Sequence, residues 1–560
     1  DDFSLRNRSR ISKRILRGRK QWKDEKLKEF NRRRAYNVSS RLYWLAQNGC
    51  ILGFDVDVAT AKYRKHIPDW SPEAADAAVE GMDGGGGWVK EDDDASLLLK
   101  LPADQVIPKA LELMKQRPSR LTERKPFIGL RKEQPQLAPD ALMHEAGNNN
   151  FPHWAWEQFL GWSEKDDPNP LPDDVVSKAV LLLPPQEIVA MAHTVTRWIE
   201  DHSSSLMSTD AGLFDDVWNL CLDSLSSEPE PMSGGIVRGS AAPEWMTEAL
   251  NAPTGRLAEA LFGGPDTKDR KPQQGFPEGW QRKVERLLAL EGDARRFAIT
   301  TFTQRLNWFY YVAPEWTDQH LLRLMKSDDA VDDHDAAWAG FLSNGKMPTV
   351  ELFKQLKPEL LRLPSPVAKR REGFHLEVLA AFLLIGWAPA DDEPQFITDD
   401  ELATTILNGS DRFRTQMLWL LERWSKEDPA RWGAAIQHLF AEVWPRQKKA
   451  RTPEVAKRMV ELLFSQTDSF SDLASQILPL LTSFDSEDVM LPRVTKLGDP
   501  IIKNHPDAVI ELLEAILPDN PDRWPYGAPE ILDALQDGDL MAESRTKLLR
   551  LQRVRAGAFV

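Results

Sequence analysis

Ten histidines, two cysteines and 86 aspartates and glutamates are the side chains from which this 560-residue chain could build a catalytic or metal centre. The histidines are scattered, with no His-Glu-x-x-His and no pair spaced i, i+4, so the usual zinc hydrolase pattern is missing. The densest cluster is Asp332-Asp333-His334-Asp335. Consecutive residues at a helix start point in different directions, and carboxylates there compensate the helix dipole, which favours a solvated cap over a metal site. Cys50 and Cys221 have no histidine at a motif spacing, and no Gly-x-Ser-x-Gly elbow occurs. Gly84 to Gly87 runs into Trp88 and not into Gly-Lys-Ser/Thr, so a phosphate-cradling loop is not expected. His193, beside an apolar stripe, reads as structural. No catalytic, cofactor-binding or metal-ligating residue is assigned.

The charge is unevenly placed. Residues 1–45 carry 15 Lys and Arg against 5 Asp and Glu, a net of +10, which leaves -25 for the rest of a chain whose total is -15. Arg17, Arg19, Lys20, Arg32, Arg33 and Arg34 are the residues that could contact a partner or nucleic acid. Cations of this density can neutralise phosphates without a sequence code. The structural alternative is a basic helix partnered by the acidic remainder of this chain or its neighbour. Ile11 with Ile15, Leu27 with Phe30, and Val38, Leu42 and Leu45 keep helical spacing, which favours that alternative.

The elements that would position these residues are helical from end to end. Ile188, Met191, Ala192, Val195, Trp198 and Ile199 share one stripe, which stops in His202 and three serines. Thr398 and Glu401 form a capping box, and Asn408-Gly409 supplies a left-handed stop. Phe413 to Trp424, then Trp432 to Val443, then Ala456 to Phe464 behind Thr452-Pro453, then Leu473 to Leu481, repeat the plan. Helix starts near 398, 411, 429, 452 and 468 are 13, 18, 23 and 16 residues apart. Short breaks imply antiparallel hairpins, and the uneven spacing implies an irregular array. The fold class is therefore all-α: an irregular, HEAT-like α-solenoid of stacked helical hairpins behind a basic connecting helix. Residues 1–48 read as the connector, 49–262 as a first array with loop insertions, and 263–560 as a second. Phe54 to Val58 alternates but is too short to support a sheet.

Loops at 81–96, 226–244 and 263–279 read as surface insertions in that array. The 20 tryptophans, several on helical stripes, read as core, as do the clusters Asn307 to Tyr311 and His153 to Trp156. The longest apolar run, Leu376 to Trp387, is broken by Glu377 and is far short of the ~20 residues a bilayer crossing needs. Two cysteines cannot form a disulfide framework, so a cytoplasmic location is expected.

The stretch from Arg14 through Gly18-Arg19-Lys20-Gln21-Trp22 to Glu25, with Arg32 to Tyr36 and Arg41 to Leu45, resembles the segment that follows the sirtuin-like domain of large bacterial antiphage defence proteins. Gly255 to Leu261, Gly292 to Arg296 and Asp522-Arg523-Trp524-Pro525-Tyr526-Gly527 are similar to the helical C-terminal region of that family. The resemblance implies a sensor and scaffold region that acts with an upstream sirtuin-like domain in a homo-oligomer. It also implies a phage protein as trigger and NAD as the substrate of the upstream domain, with no cofactor in this chain. The Gly-Ala-Gly-x-Ser turn and Thr-Gln-Asn-x-Asp stretch of sirtuins do not occur here, so no catalytic residue carries over. Asp1, which is not a methionine, reads as a cut, with the enzyme before it. A stand-alone helical scaffold and a nucleic-acid-binding subunit are the alternatives.

Overall fold

A computed structural model describes residues 14–17, 26–47, 54–68, 70–72, 90–116, 122–161, 171–227, 243–326, 331–365, 375–390, 394–484, 491, 500–536 and 538–557. Gly84 to Gly87, Cys50, Arg19, Lys20 and most of the 226–244 loop lie outside them. The fold is all-α, a helical-repeat architecture with almost no strand. None of the described helices is long and apolar enough to cross a membrane. The chain divides into two compact units, residues 1–141 and 142–560.

In the first unit, α1 (Leu27–Gln47) and α2 (Val56–Arg64) pair as a hairpin. Ala35, Val38 and Leu42 of α1 meet Tyr63 and Ile67, and Ile15, Leu16 and Leu45 pack against that core. Leu27, expected on the seam with Phe30, is 62% exposed. The alternation from Phe54 to Val58 resolves as a helix start, with Asp55 accepting from the Val58 amide at 3.1 Å. The expected boundary at residue 48 lies outside the described residues, and the helices on either side of it, α1 and α2, pack on one another. One pairing has no counterpart in the sequence pattern. Strands β1 (Lys90–Asp92) and β2 (Thr122–Arg124) lie in parallel, with Arg124 bonded to Asp92 at 3.0 Å.

In the second unit, helices α3 (Ala192–Thr209), α4 (Ala211–Ser226), α5 (Trp245–Asn251) and α6 (Pro253–Ala260) lead into α7 (Gly292–Thr303), α8 (Val331–Ser343) and α9 (Val350–Arg362). The stripe from Ile188 to Ile199 is two helices, because the backbone breaks at Met191, with φ of -112° and ψ of 22°. It also runs past the serines to Thr209. Hydroxyls of Ser208 and Thr209 bond the carbonyls four residues back, at 2.7 and 2.9 Å, so these residues continue the helix instead of ending it.

Further on come α10 (Leu376–Trp387), α11 (Asp399–Asn408), α12 (Asp411–Glu427), α13 (Pro429–His438) and α14 (Pro453–Phe464), the last four beginning where their caps put them. Thr398 and Glu401 close the capping box, and Ser410, Asp428 and Thr452 each accept from an amide three residues on. α12 packs against α10, α13 and α14, so each hairpin is covered by the next. The stop after α11 differs from expectation. Gly409 is extended, with φ of -69°, and the α11 carbonyls of Ile406 and Leu407 are taken by the buried Arg414 guanidinium at 2.9 and 3.0 Å. A side chain from the next helix thus does the work of a left-handed cap.

At the expected boundary between the two arrays, residue 262 belongs to an aromatic cluster. Phe262 sits 5.8 Å from Trp280, 6.2 Å from Phe302 and 5.7 Å from Trp308. The 263–277 loop is tied down by amides of Gln273 and Gly275 donating to the carbonyls of Tyr311 and Val312, both at 2.9 Å. Phe276 then stacks into the same cluster. Trp308 and Phe309 pack here, and Trp156 is fully buried beside Phe159, so these members of the two clusters are core as expected, whereas Tyr311, 45% exposed, and His153 lie at the surface.

A close helix crossing joins α7 to α8. A Cβ on Gly340 would collide with the Thr300 carbonyl oxygen and the Thr303 hydroxyl. Gly340→Ala is expected to destabilise the second unit by roughly 1–3 kcal/mol through overpacking. Gly433→Ala, with open space around it, should be neutral or stabilising by up to about 1 kcal/mol. Urea unfolding of the two variants checks this, and equal midpoints would contradict the crossing.

Candidate partner-binding surfaces

The basic segment separates into structural and solvent-facing cations. Arg34 turns inward, donating to the Arg17 carbonyl at 2.8 Å, with its guanidinium 5.5 Å from the Tyr63 ring and 6.0 Å from that of Phe30. Tyr63 donates to the Leu16 carbonyl at 2.6 Å, so one Arg and one Tyr together cap the short helical turn at residues 14–17. Arg17 is exposed there. Arg32 and Arg33 lie on the outer face of α1, beside exposed Lys28. On the inner side, Tyr43 donates to Asp57, which also pairs with Arg64 at 2.8 Å. Burial first, and then that hydrogen bond, raise the Tyr43 phenol above its ordinary value. Of the four described cations expected to reach a partner, Arg34 is committed to the fold.

The acidic cluster at the start of α8 is not a solvated cap. Asp333, His334 and Asp335 are all buried, because α7 lies across them and brings Arg295 and Arg296. Arg296 meets Asp333 at 3.1 Å, Asp293 at 2.8 Å and Asp332 at 3.5 Å, and Arg295 reaches Asp333 at 3.5 Å. His334 is fully buried with neither ring nitrogen hydrogen-bonded, 3.6 Å from Asp335 and 4.0 Å from Glu359. Among the described residues no group of three or more His, Cys, Asp and Glu side chains is arranged to hold a metal ion. Cys221 is completely buried, and burial pushes its thiol far above the ordinary value, away from nucleophilic chemistry. His193 is exposed and bonds the Asn251 carbonyl at 3.2 Å.

Sequence reasoning misses a polar cleft formed by α3, α5, α6 and α7. It is lined by Glu200, Met246, Leu250, Gly255, Arg256, Glu259, Thr301 and Gln304, and it opens to solvent. Glu200 lies 3.9 Å from the Nε of Arg256, too far for a hydrogen bond, and receives none from any described residue. Burial, against the pull of Arg256 and with the push of Glu259, raises its carboxyl to about 7. Glu259 is held by Arg305. The Gly255 to Leu261 stretch enters the sequence reading through resemblance alone, with no role for Arg256 or Glu259. Nothing local marks Glu200, which meets α6 through tertiary packing.

No known protein-family model matches the chain. Over 362 residues, 61% of its length, it is 21% identical to the uncharacterized protein y4cA of Sinorhizobium fredii. The match spans 28% of that protein's length, so the chain corresponds to little more than a quarter of this relative.

These geometries can be checked by substitution. Arg34→Ala should cost about 0.5–1.5 kcal/mol by removing its hydrogen bond to the Arg17 carbonyl and its contact with the Tyr63 ring, whereas Arg32→Glu should stay within about 0.5 kcal/mol. Chemical denaturation measures both. The folded chain holds the Glu200 proton more tightly than an unfolded one, whose carboxyl titrates near 4.5. That contribution is present below pH 4.5 and is lost as pH rises through about 7. Glu200→Gln is expected to flatten the fall in melting temperature between pH 5 and 8, which thermal scans at stepped pH will read.

Proposed function

We propose that this chain is the sensor and scaffold region of a sirtuin-like antiphage defence protein. In this reading the helical array restrains an upstream NAD-hydrolysing domain until a phage protein binds, and NAD loss then stops the infected cell. The observation that carries it is the set of resembling stretches, from Arg14 to Leu45, at Gly255 to Leu261, at Gly292 to Arg296 and at Asp522 to Gly527. Two findings support it. The fold is a helical repeat, an architecture suited to extended protein recognition. The relative in Sinorhizobium fredii is several times longer than the matched segment, so the matching region there is one part of a larger polypeptide.

The mechanism is a population shift. A trigger activates only if it binds the active arrangement more tightly than the resting one, and moving a 1:99 balance to 99:1 needs about 10⁴-fold, or about 5.5 kcal/mol. A long array offers many contacts from which that difference can be built. In this reading α1, with its apolar seam against α2 and its outer cations, couples the array to the upstream domain.

The complete gene product, expressed in a bacterial host and followed through infection, tests the reading. Cellular NAD is expected to fall at least tenfold in infected cells that carry it and to hold steady in uninfected ones. Protection from phage with unchanged NAD would overturn it.

A further inference from the structure

The seam between α1 and α2 accounts for one side of α1 and leaves the other to solvent. Phe30, Val38 and Leu42 are buried, and Arg34 is bonded to the Arg17 carbonyl. Lys28, Arg32 and Tyr36 follow one another at i, i+4 and i+8, so they share one stripe of the outer face, each about 6 Å from the next. All three are exposed, Tyr36 by 39%. Neither Lys28 nor Arg32 has an ion pair among the described residues, and the Tyr36 hydroxyl has no hydrogen bond among them. Arg33 lies beside Arg32, with Glu29 one turn before it. Arg14 and Arg17, on the helical turn that Arg34 and Tyr63 hold, are exposed as well. Where a cation of this hairpin serves the fold, an acceptor meets it, as Asp57 meets Arg64 and the Arg17 carbonyl meets Arg34. The outer stripe belongs to a segment of net charge +10 and has no such answer.

We propose that the outer face of α1 binds a single strand of nucleic acid by its backbone, with phosphates at Lys28 and Arg32 and one base stacked on Tyr36. The one-turn spacing of the two cations is close to that of successive phosphates in an extended strand. The exposed ring of Tyr36 continues the stripe, and such a ring stacks on an unpaired base, whose flat face a duplex hides and an acidic protein does not possess. Two cations on phosphates carry no sequence code and no preference between DNA and RNA. The proposal goes beyond the defence reading and does not need it. Where an upstream domain engages the same cations, strand and domain compete for them.

Counterion release sets the size of the effect. Two phosphates neutralised on a single strand give a slope of about −1.4 in log K against log salt, and Arg33 as a third makes it about −2. Affinity therefore falls roughly tenfold between 50 and 200 mM salt. The rest of the chain carries -25 and repels the strand, which keeps binding in the ~10⁻⁶–10⁻⁴ M range of contacts without a sequence code.

Fluorescence anisotropy of the full chain with labelled twelve-nucleotide oligothymidylate and oligouridylate tests this. Both are expected to bind, within threefold of each other and with the salt slope given above. Lys28→Glu combined with Arg32→Glu should weaken binding at least tenfold and lower the slope by about 1.4. Tyr36→Ala should weaken it at least fivefold with the slope unchanged, and Tyr36→Phe should restore it. Arg423→Glu, at a cation of the second unit that is 55% exposed, is the control and should leave binding within twofold. Circular dichroism confirms each variant as folded. No saturation by 100 µM chain at 50 mM salt, a duplex or a poly-glutamate of equal charge bound as tightly as the strand, binding unchanged in Tyr36→Ala, or an equal loss in Arg423→Glu would each overturn the proposal. Cellular NAD plays no part in these measurements, so failure here leaves the defence reading to its own test.

Discussion

The contact between α7 and α8 is the constraint on which the middle of the array depends. At one end Gly340 lets the two backbones approach until only a hydrogen atom fits between them, and Thr300 donates across to the Ala336 carbonyl at 3.2 Å. At the other end Arg295 and Arg296 meet Asp332 and Asp333. Between these, Phe297, Phe302 and Trp338 are completely buried. A crossing this close fixes the axial register of both helices, since sliding by one residue would drive a side chain into the Thr300 carbonyl. α5 and α6 pack on α7, and α9 comes after α8 in the chain, so the positions of Glu200, Arg256 and Glu259 relative to one another inherit that register.

Much of the fold is legible in local chemistry. Thr398 with Glu401, Ser410, Asp428-Pro429 and Thr452-Pro453 mark helix starts because each satisfies orphan amides with its own side chain, within four residues. The stops are harder. Gly409 suggests a left-handed cap, yet the carbonyls of α11 are taken by Arg414, which belongs to the next helix. The break at Met191 is likewise invisible in a stripe of apolar residues that keeps its spacing through it. The parallel pairing of Lys90–Asp92 with Thr122–Arg124 joins segments about thirty residues apart and has no periodicity to announce it.

The charged clusters show the same division. The net of +10 over residues 1–45 is a property of composition, and it holds. Which of those cations faces outward is a property of packing: Arg34 and Arg32 are two residues apart, and only the first lies over Tyr63. Asp333 to Asp335 resembles a solvated helix start in the sequence, which cannot show that α7 covers it. Glu200 resembles any glutamate on a polar face.

Most of the buried charge in this chain answers other charge of the chain. Arg458 is held by Glu422 and Glu461, Lys547 by Glu511 and Glu514, and Arg296 by three aspartates. Such groups stabilise helix-to-helix register. Among the described polar side chains outside that pattern, His334 and Glu200 show two different situations. His334 is sealed, with both nitrogens unpartnered at a cost of about 1–3 kcal/mol each, and no external group can reach it. Glu200 differs in kind: its side chain is partly exposed with Arg256 at 3.9 Å, so water can supply the donors that no described residue provides, and no comparable cost is stored there.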